Sequence, residues 1–331
     1  MKEYAFNMHK LPVGVLGASG YAGQELCMLV DAHPGFELVF AAAHSRAGDT
    51  LRVPGRDLVM ASMDAVRLAD AAVVFSALPH GASAAWVTKA QQAGAKVIDL
   101  SADLRPGQGE HTITDLDAPY GLPEINRDAI RSAQIVANPG CYATATLLGL
   151  MPLVARDLIV PGTAVIVDAA SGVTGAGNSP RPDLLFGEVS EDFRAYGVGN
   201  THRHLGEMRA TLEAQGADLD LLFTPHLLPV SRGILATITV TLREPLVDSL
   251  ALFRTHYAVE PFVEIATAPP RLREVQRRNV ARIFATPLQH TRVPMLQIFV
   301  AIDNLVKGAA GQAIQNANLV CDFHETAGLP L

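Results

Sequence analysis

Cys141 is one of three cysteines in a chain of 331 residues, and its surroundings single it out for chemistry. In "NPGCYATAT", residues 138–146, it follows Pro139 and Gly140 at the mouth of an apolar run that reads as a helix. A thiol in the first turn of a helix faces unpaired N–H groups and the positive end of the macrodipole. Both are expected to lower its pKa and raise its reactivity near neutral pH. Cys27 and Cys321 fall instead in apolar helical runs and are expected to be small core residues. A nucleophile that forms an acyl intermediate needs an acid/base partner. Among 11 histidines, the polar, turn-like stretch "NTHRHLGEM" offers His202 and His204, with Arg203 between them and Glu207 nearby. In an extended segment the two imidazoles would share one side, and Glu207 could orient one of them. The same pair could ligate a metal, but no third ligand at convincing spacing accompanies it, so no metal site is expected.

A second constellation is the G-x-x-G-x-x-G turn of Gly17, Gly20 and Gly23, in "GASGYAG" between an extended run and a helical one. Bare backbone at a helix N-terminus can cradle a pyrophosphate, with Ser19 and Tyr21 lining the turn. The next extended run ends "AAAHSRAG", with no acid to accept a ribose hydroxyl of NAD. Ser45 and Arg46 suit a 2′-phosphate instead, so the expected cofactor is NADP as NADPH. "SALPHGAS", residues 76–83, places Pro79 and His80 in a loop that such a sheet presents to its cofactor.

The elements that must position these groups follow from periodicity. "PVGVLG", the glycine turn, "QELCMLVDAHP" and "FELVFAAA" form a βαβ opening. "AAVVFSAL", "AKVIDLS" and "AQIVANPG" continue the alternation around the helix-like "HGASAAWVTKAQQAG". After Cys141, "TAVIVDAASG", "LDLLFTPHLLP" and "GILATITVTL" read as strands and "SLALFRTHYAVEPFVEI" as a helical interlude. The predicted fold is α/β: an N-terminal Rossmann-like, doubly wound parallel sheet and a second, mixed α/β domain for catalysis and dimerisation. Residues 1–140 would form the first domain and 141–307 the second, with a small-residue helix over 308–331 completing the first.

Composition supports a globular chain, 49% hydrophobic and 18% charged. The formal net charge of −7, without a Lys/Arg cluster, argues against nucleic-acid partners. Odd, scattered cysteines fit a reducing compartment. The start "MKEYAFNMHKLPVG" has no apolar signal core, and no uncharged run is long enough for a membrane span. A cytoplasmic location is expected.

Together, "GASGYAG", "NPGCY", "SGVTGAG", "YGVGNTHRH" and "DNLVKGAAGQAIQNAN" resemble the N-acetyl-γ-glutamyl-phosphate reductases, the arginine-pathway branch of the semialdehyde dehydrogenase superfamily. The resemblance implies that Cys141 is the nucleophile and that the "HRH" segment supplies the acid/base, with His204 favoured and His202 left open. It implies reduction of N-acetyl-L-glutamyl 5-phosphate by NADPH through a cysteine thioester, giving the 5-semialdehyde and phosphate. A homodimer or homotetramer is implied as well. A substrate bearing carboxylate and phosphate needs placed cations, for which Arg105, Arg203 and Arg232 are candidates. Ser171 and Glu207 are further substrate-side candidates, and Asn304 a cofactor-side one. The chain departs from the family pattern at Ala143 and Gly206, where prolines are usual. Aspartate-semialdehyde dehydrogenase, a lysine-pathway reductase of carrier-linked aminoadipyl phosphate, and an inactive NADP-sensing protein are the competing readings.

Overall fold

Apolar runs near the N-terminus are short and nearly continuous, the signature of strands covered on both faces. In the computed structural model, which describes residues 10–108 and 116–331, they form one parallel sheet. The reading of a start without a signal core falls largely on residues 1–9, outside the described residues. In chain order the first unit comprises β1 (Leu11–Leu16), α1 (Tyr21–Ala32), β2 (Phe36–Ala43), β3 (Thr50–Val53), β4 (Arg56–Val59), β5 (Ala61–Ser62), β6 (Val73–Ser76), α2 (Ser83–Gln92), β7 (Lys96–Asp99), α3 (Pro123–Ser132) and β8 (Ile135–Ala137). The sheet order is β5-β2-β1-β6-β7-β8, every pair parallel, while β3 and β4 form a separate hairpin. The order reverses between β1 and β6, which opens a crevice at their carboxyl ends.

The second unit comprises α4 (Cys141–Val154), β9 (Ala164–Gly172), α5 (Phe186–Val189), β10 (Arg194–Ala195), α6 (His204–Ala214), β11 (Asp220–Leu228), β12 (Ile234–Thr241), α7 (Ser249–His256), β13 (Val263–Ile265), β14 (Ala281–Pro287), β15 (Met295–Ile302) and α8 (Gly311–Val320). A mixed sheet of order β10-β11-β9-β12-β15-β14-β13 forms from its strands. Strands such as β12 alternate buried and half-buried positions, and the buried face packs on α4 and α6. From Tyr142 to Leu153 every residue of α4 is buried, which is why its sequence carries no polar stripe.

The α/β class and the two kinds of sheet agree with the sequence. Cys27 is fully buried against α8 and the parallel sheet, as expected. Three local expectations are corrected. The helical interlude ends at His256, and Val263–Ile265 is a strand that pairs with β14, so only half of that run is helix. The C-terminal run begins as a π turn, Val306–Ala310, before α8. Cys321 caps α8 at its end and is half-buried rather than enclosed.

Candidate active site

A parallel sheet sends every loop from its carboxyl ends to one side, so residues distant in sequence arrive together. The glycine turn follows β1, Ser45 and Arg46 follow β2, Pro79 and His80 follow β6, Arg105 follows β7, and Cys141 follows β8. Gly17 has φ +79, and a Cβ there would collide with the carbonyl of Ala77 at the end of β6. At Gly23 a Cβ would collide with the carbonyl of Gly17. These two contacts close the turn onto α1, whose first N–H groups have no side-chain cap. An uncapped helix start under bare backbone fits a pyrophosphate, the group a dinucleotide would place there. Ser19 lies half-exposed in the turn and Tyr21 opens α1.

Around that turn, His80 Nδ1 lies 2.7 Å from Asp103 Oδ1. Asp103 also accepts from Gly81, Ser83 and Ala84 N–H groups at 2.7, 3.0 and 3.1 Å, capping α2 from a neighbouring loop. Those backbone bonds and His80 outweigh burial and hold its carboxyl below the usual carboxylate range. Pro79 is exposed beside it. Ser45 and Arg46 are exposed past β2, and Arg46 Nε sits 2.8 Å from Asp49. An exposed pair of this kind is worth little, so the guanidinium is free to exchange Asp49 for a phosphate.

Cys141 is the first residue of α4, as the sequence predicts. Its two chain neighbours lie against imidazoles: a Cβ added at Gly140 would lie 2.6 Å from His204 Nε2, while Tyr142 has its ring centroid 5.4 Å from that of His202 and 5.9 Å from that of His204. The predicted lowering of the thiol pKa is corrected. Burial pushes the Cys141 thiol up, and the positive charges of Arg203 and Arg105 only partly offset it. Burial likewise holds His204 well below the ordinary imidazole value, helped by Arg105, Arg203 and His202. His202 is lowered to about 4 by burial and then by Arg203. Thiol and imidazoles are therefore neutral at rest, a proton transfer away from an active nucleophile.

The "HRH" stretch does not place its rings by strand alternation. His204 begins α6, His202 lies in the preceding turn, and the rings come within 4.9 Å, edge to face. The His204 N–H donates to His202 Nδ1 at 3.2 Å, which leaves the His202 proton on Nε2. His204 Nδ1 is buried without a partner among the described residues.

Glu207 does not orient an imidazole. Fully buried, its Oε1 accepts from Tyr120 Oη and from Gly140 N–H, both at 2.7 Å, and Oε2 lies 3.4 Å from Arg105 Nη1. It thereby ties α6 to the residue that caps α4. Gly206 passes so close to Gly107 that a Cβ would collide with the Gly107 carbonyl, which accounts for the missing proline. Ala143 is fully buried within α4.

The three arginines differ in freedom. Arg105 is buried, its Nε and Nη2 donating to the carbonyls of Asn138 and Leu100 at 2.8 and 2.7 Å. With Glu207 near Nη1, three of its five N–H donors are turned to the protein. Arg203 is exposed and its charge reaches Cys141. Arg232 pairs with Glu25 of α1 at 2.7 Å and with Asp303 at 3.3 Å, two carboxylates with which a substrate anion would have to compete. Ser171 ends β9 nearly enclosed, its hydroxyl donating to the Gly172 carbonyl at 3.1 Å. Asn304 accepts from Gly233 N–H at 2.7 Å and donates to Thr174 Oγ1 at 3.0 Å. Asn178 Nδ2 donates to the Ser19 carbonyl at 2.7 Å, bridging the second unit to the glycine turn. Glu25, Tyr120, Asp103 and Asp303 were missed in the sequence: a buried acid or phenol carries no local signature, and its partners are up to 207 residues away.

The models of the semialdehyde dehydrogenase NAD binding domain and dimerisation domain match residues 12–133 and 141–304. The N-acetyl-gamma-glutamyl-phosphate reductase of Pelobacter propionicus is 42% identical over 341 residues, spanning 96% of this chain and 98% of its own. Aspartate semialdehyde dehydrogenase II from Vibrio cholerae, solved with ASA, superposes with a TM-score of 0.76 at 20% identity over 95% of this chain and 99% of its own. Aspartate semialdehyde dehydrogenase from Candida albicans, solved with NADP, gives 0.70 at 17% over 94% and 98%. At such identities the two solved structures speak for the fold alone. The full-length match at 42% identity speaks for more: the chain belongs to the N-acetyl-γ-glutamyl-phosphate reductase family of semialdehyde dehydrogenases.

Proposed function

We propose that the chain reduces N-acetyl-L-glutamyl 5-phosphate to N-acetyl-L-glutamate 5-semialdehyde with NADPH, releasing phosphate, as a step of arginine biosynthesis. The observation that carries this is a helix-opening cysteine whose chain neighbours, Gly140 and Tyr142, lie against His204 and His202, in a chain 42% identical to a reductase of that name. The proton of the Cys141 thiol passes to His204, whose Nε2 lies against Gly140, and the sulfur attacks the acyl carbon. Phosphate leaves, carrying the electron pair of the broken C–O bond, and a thioester remains. NADPH supplies the hydride, for which a thioester carbonyl is a better acceptor than a carboxylate. Collapse of the resulting hemithioacetal expels the sulfur, and the imidazolium returns the proton. His202 is the alternative acid/base, and the exposed Arg203, whose charge reaches Cys141, is the arginine assigned to a substrate anion. Ser171 supports the substrate side through its place at the end of β9.

Gly17, Ser19, Gly20, Tyr21 and Gly23 would hold the pyrophosphate, Ser45 and Arg46 the 2′-phosphate, and Pro79, His80 and Asn304 the flanks. We place the unit boundary at 140/141, with α8 returning to the first unit; its packing against the parallel sheet supports this. We further propose a homodimer or homotetramer formed through the second unit, where Ile166 and Leu222 of β9 and β11 stand exposed on the outer sheet face. Three free cysteines support a cytoplasmic setting. The test is phosphate-dependent oxidation of N-acetylglutamate semialdehyde with NADP or NAD. Turnover with NADP and not with aspartate semialdehyde is the expected result. Activity confined to aspartate semialdehyde, or to a carrier-linked aminoadipate semialdehyde, would overturn the substrate.

A further inference from the structure

After β15 the chain takes its least regular helical course. Val306–Ala310 forms a π turn in which Ala310 N–H reaches back to the Leu305 carbonyl at 2.8 Å. Such turns have poorer backbone geometry than an α-helix and persist where surrounding contacts impose them, often near functional groups. Two buried side chains grip this one. Asp303 Oδ1 accepts from Leu305 and Val306 N–H at 2.8 and 3.3 Å, closing the start of the turn. Lys307 has no exposed surface; its Nζ lies 2.6 Å from Glu124 Oε1 at the start of α3 and 2.8 Å from Gln315 Oε1 on α8. The ammonium also faces the Phe262 ring, 5.5 Å from its centroid.

An ammonium without water is costly, and a hydrocarbon side chain of the same volume would fill the space at equal or better stability. What the turn touches supplies a reason for the charge. Gly308, the next residue, is so close to the nucleophile that a Cβ there would lie 2.8 Å from Cys141 Cβ and 3.3 Å from Cys141 Cα. Asn138 Nδ2 donates to the Ala309 carbonyl at 3.2 Å, tying the same turn to the segment that leads into Cys141. The π turn is thus a wall against the backbone of the reacting residue, and Lys307 is its anchor in the first unit.

We infer that Lys307 is a positioning residue for the reductase: held between Glu124 and Gln315, it fixes the π turn so that Gly308 stays packed on Cys141 and sets where the thiol points. This rests on the reading of Cys141 as nucleophile. Lys307 touches no reacting atom and acts through Gly308.

The test replaces the pair together, Lys307→Met with Glu124→Leu, so that no buried charge is left alone. Gly308→Ala is made in parallel, adding one methyl against Cys141 and leaving the ion pair intact. For each full-length protein, kcat and KM are measured in the phosphate-dependent oxidation, and iodoacetamide labelling of each cysteine is followed against pH. We expect kcat to fall roughly 10- to 100-fold with KM within about two-fold, the scale of a misplaced reacting group. The pH midpoint for Cys141 labelling is expected to move while Cys27 and Cys321 label as in the parent. Parental kcat and labelling in the folded pair variant, or faster labelling of all three cysteines together, would overturn the inference. Should the pair variant not fold, Gly308→Ala decides: parental kcat and Cys141 labelling there overturn it. Cys141→Ser in the same assay separates the two claims, since retained turnover would sink the nucleophile itself however Lys307 behaves.

Discussion

Burial acts on the thiol and the imidazoles in opposite directions on the pKa scale, with one result: each stays neutral. The thiol is pushed up and His204 and His202 are pushed down, so neither a thiolate nor an imidazolium is present at rest. The positive charges of Arg203 and Arg105 favour the thiolate when that charge is separated. Cys141→Ser should lower turnover roughly a thousand-fold or more, because a hydroxyl is far harder to ionise in the same setting. NADPH binding, followed by fluorescence titration, should be unchanged; a variant that keeps its turnover would remove Cys141 from the chemistry. At the coenzyme end, Arg46→Glu should move preference from NADPH toward NADH by roughly 10-fold, the loss of one charge-assisted bond of about 1.5–3 kcal/mol. The ratio of kcat/KM for the two coenzymes checks it, and an unchanged ratio would count against Arg46.

Elements place these groups by closing on one another through bare backbone and buried acids. α1 is held against the end of β1 because Gly23 leaves room for the Gly17 carbonyl. Gly23→Ala should therefore push α1 outward, destabilising by about 1–3 kcal/mol as overpacking does. The rise in melting temperature on adding NADPH should also shrink, since the helix start proposed to receive the pyrophosphate has moved. A full rise in that variant would show that the turn does not hold the coenzyme. α4 is fixed at its start by Glu207, which accepts from the Gly140 N–H, and along its length by Tyr257, whose hydroxyl donates to the Leu148 carbonyl at 2.6 Å. α6 thus contributes both the imidazole at its first residue and, one turn on, the acid that anchors the helix Cys141 opens.

Across the whole molecule the two units are bound by paired charges. Arg232 joins the Glu25 of α1 to Asp303 ahead of the π turn. Arg127 of α3 reaches both Glu260, past α7, and Glu325 in the C-terminal segment. Stability should respond to pH through histidines the fold keeps neutral. Burial lowers His33, His202 and His204 below 6.5, the value they regain on unfolding. Below pH 6.5 the unfolded chain takes up protons that the folded chain refuses, so stability is lost as pH falls toward about 4. The melting temperature should drop through that window, as calorimetry would record. A flat profile between pH 6.5 and 4 would mean that these imidazoles are protonated in the folded state.

What the sequence determined by itself is whatever depends on neighbours in the chain. Strand, glycine turn and helix are local patterns, so β1, α1 and the cradle between them are legible in "PVGVLGASGYAG". The start of α4 at Cys141 is legible for the same reason, through Pro139 and Gly140. Residues that meet across the fold are not legible in this way. Spacing in "HRH" suggests a strand, yet α6 begins at His204 and turns Glu207 away from the imidazoles toward Gly140 and Tyr120. Arg232 reads as a candidate anion-binding residue, and nothing in its stretch of sequence shows that Glu25, 207 positions away, pairs with its guanidinium. Tertiary packing alone decided the thiol's protonation, because the burial that overrides the helix dipole comes from elements the local sequence does not contain.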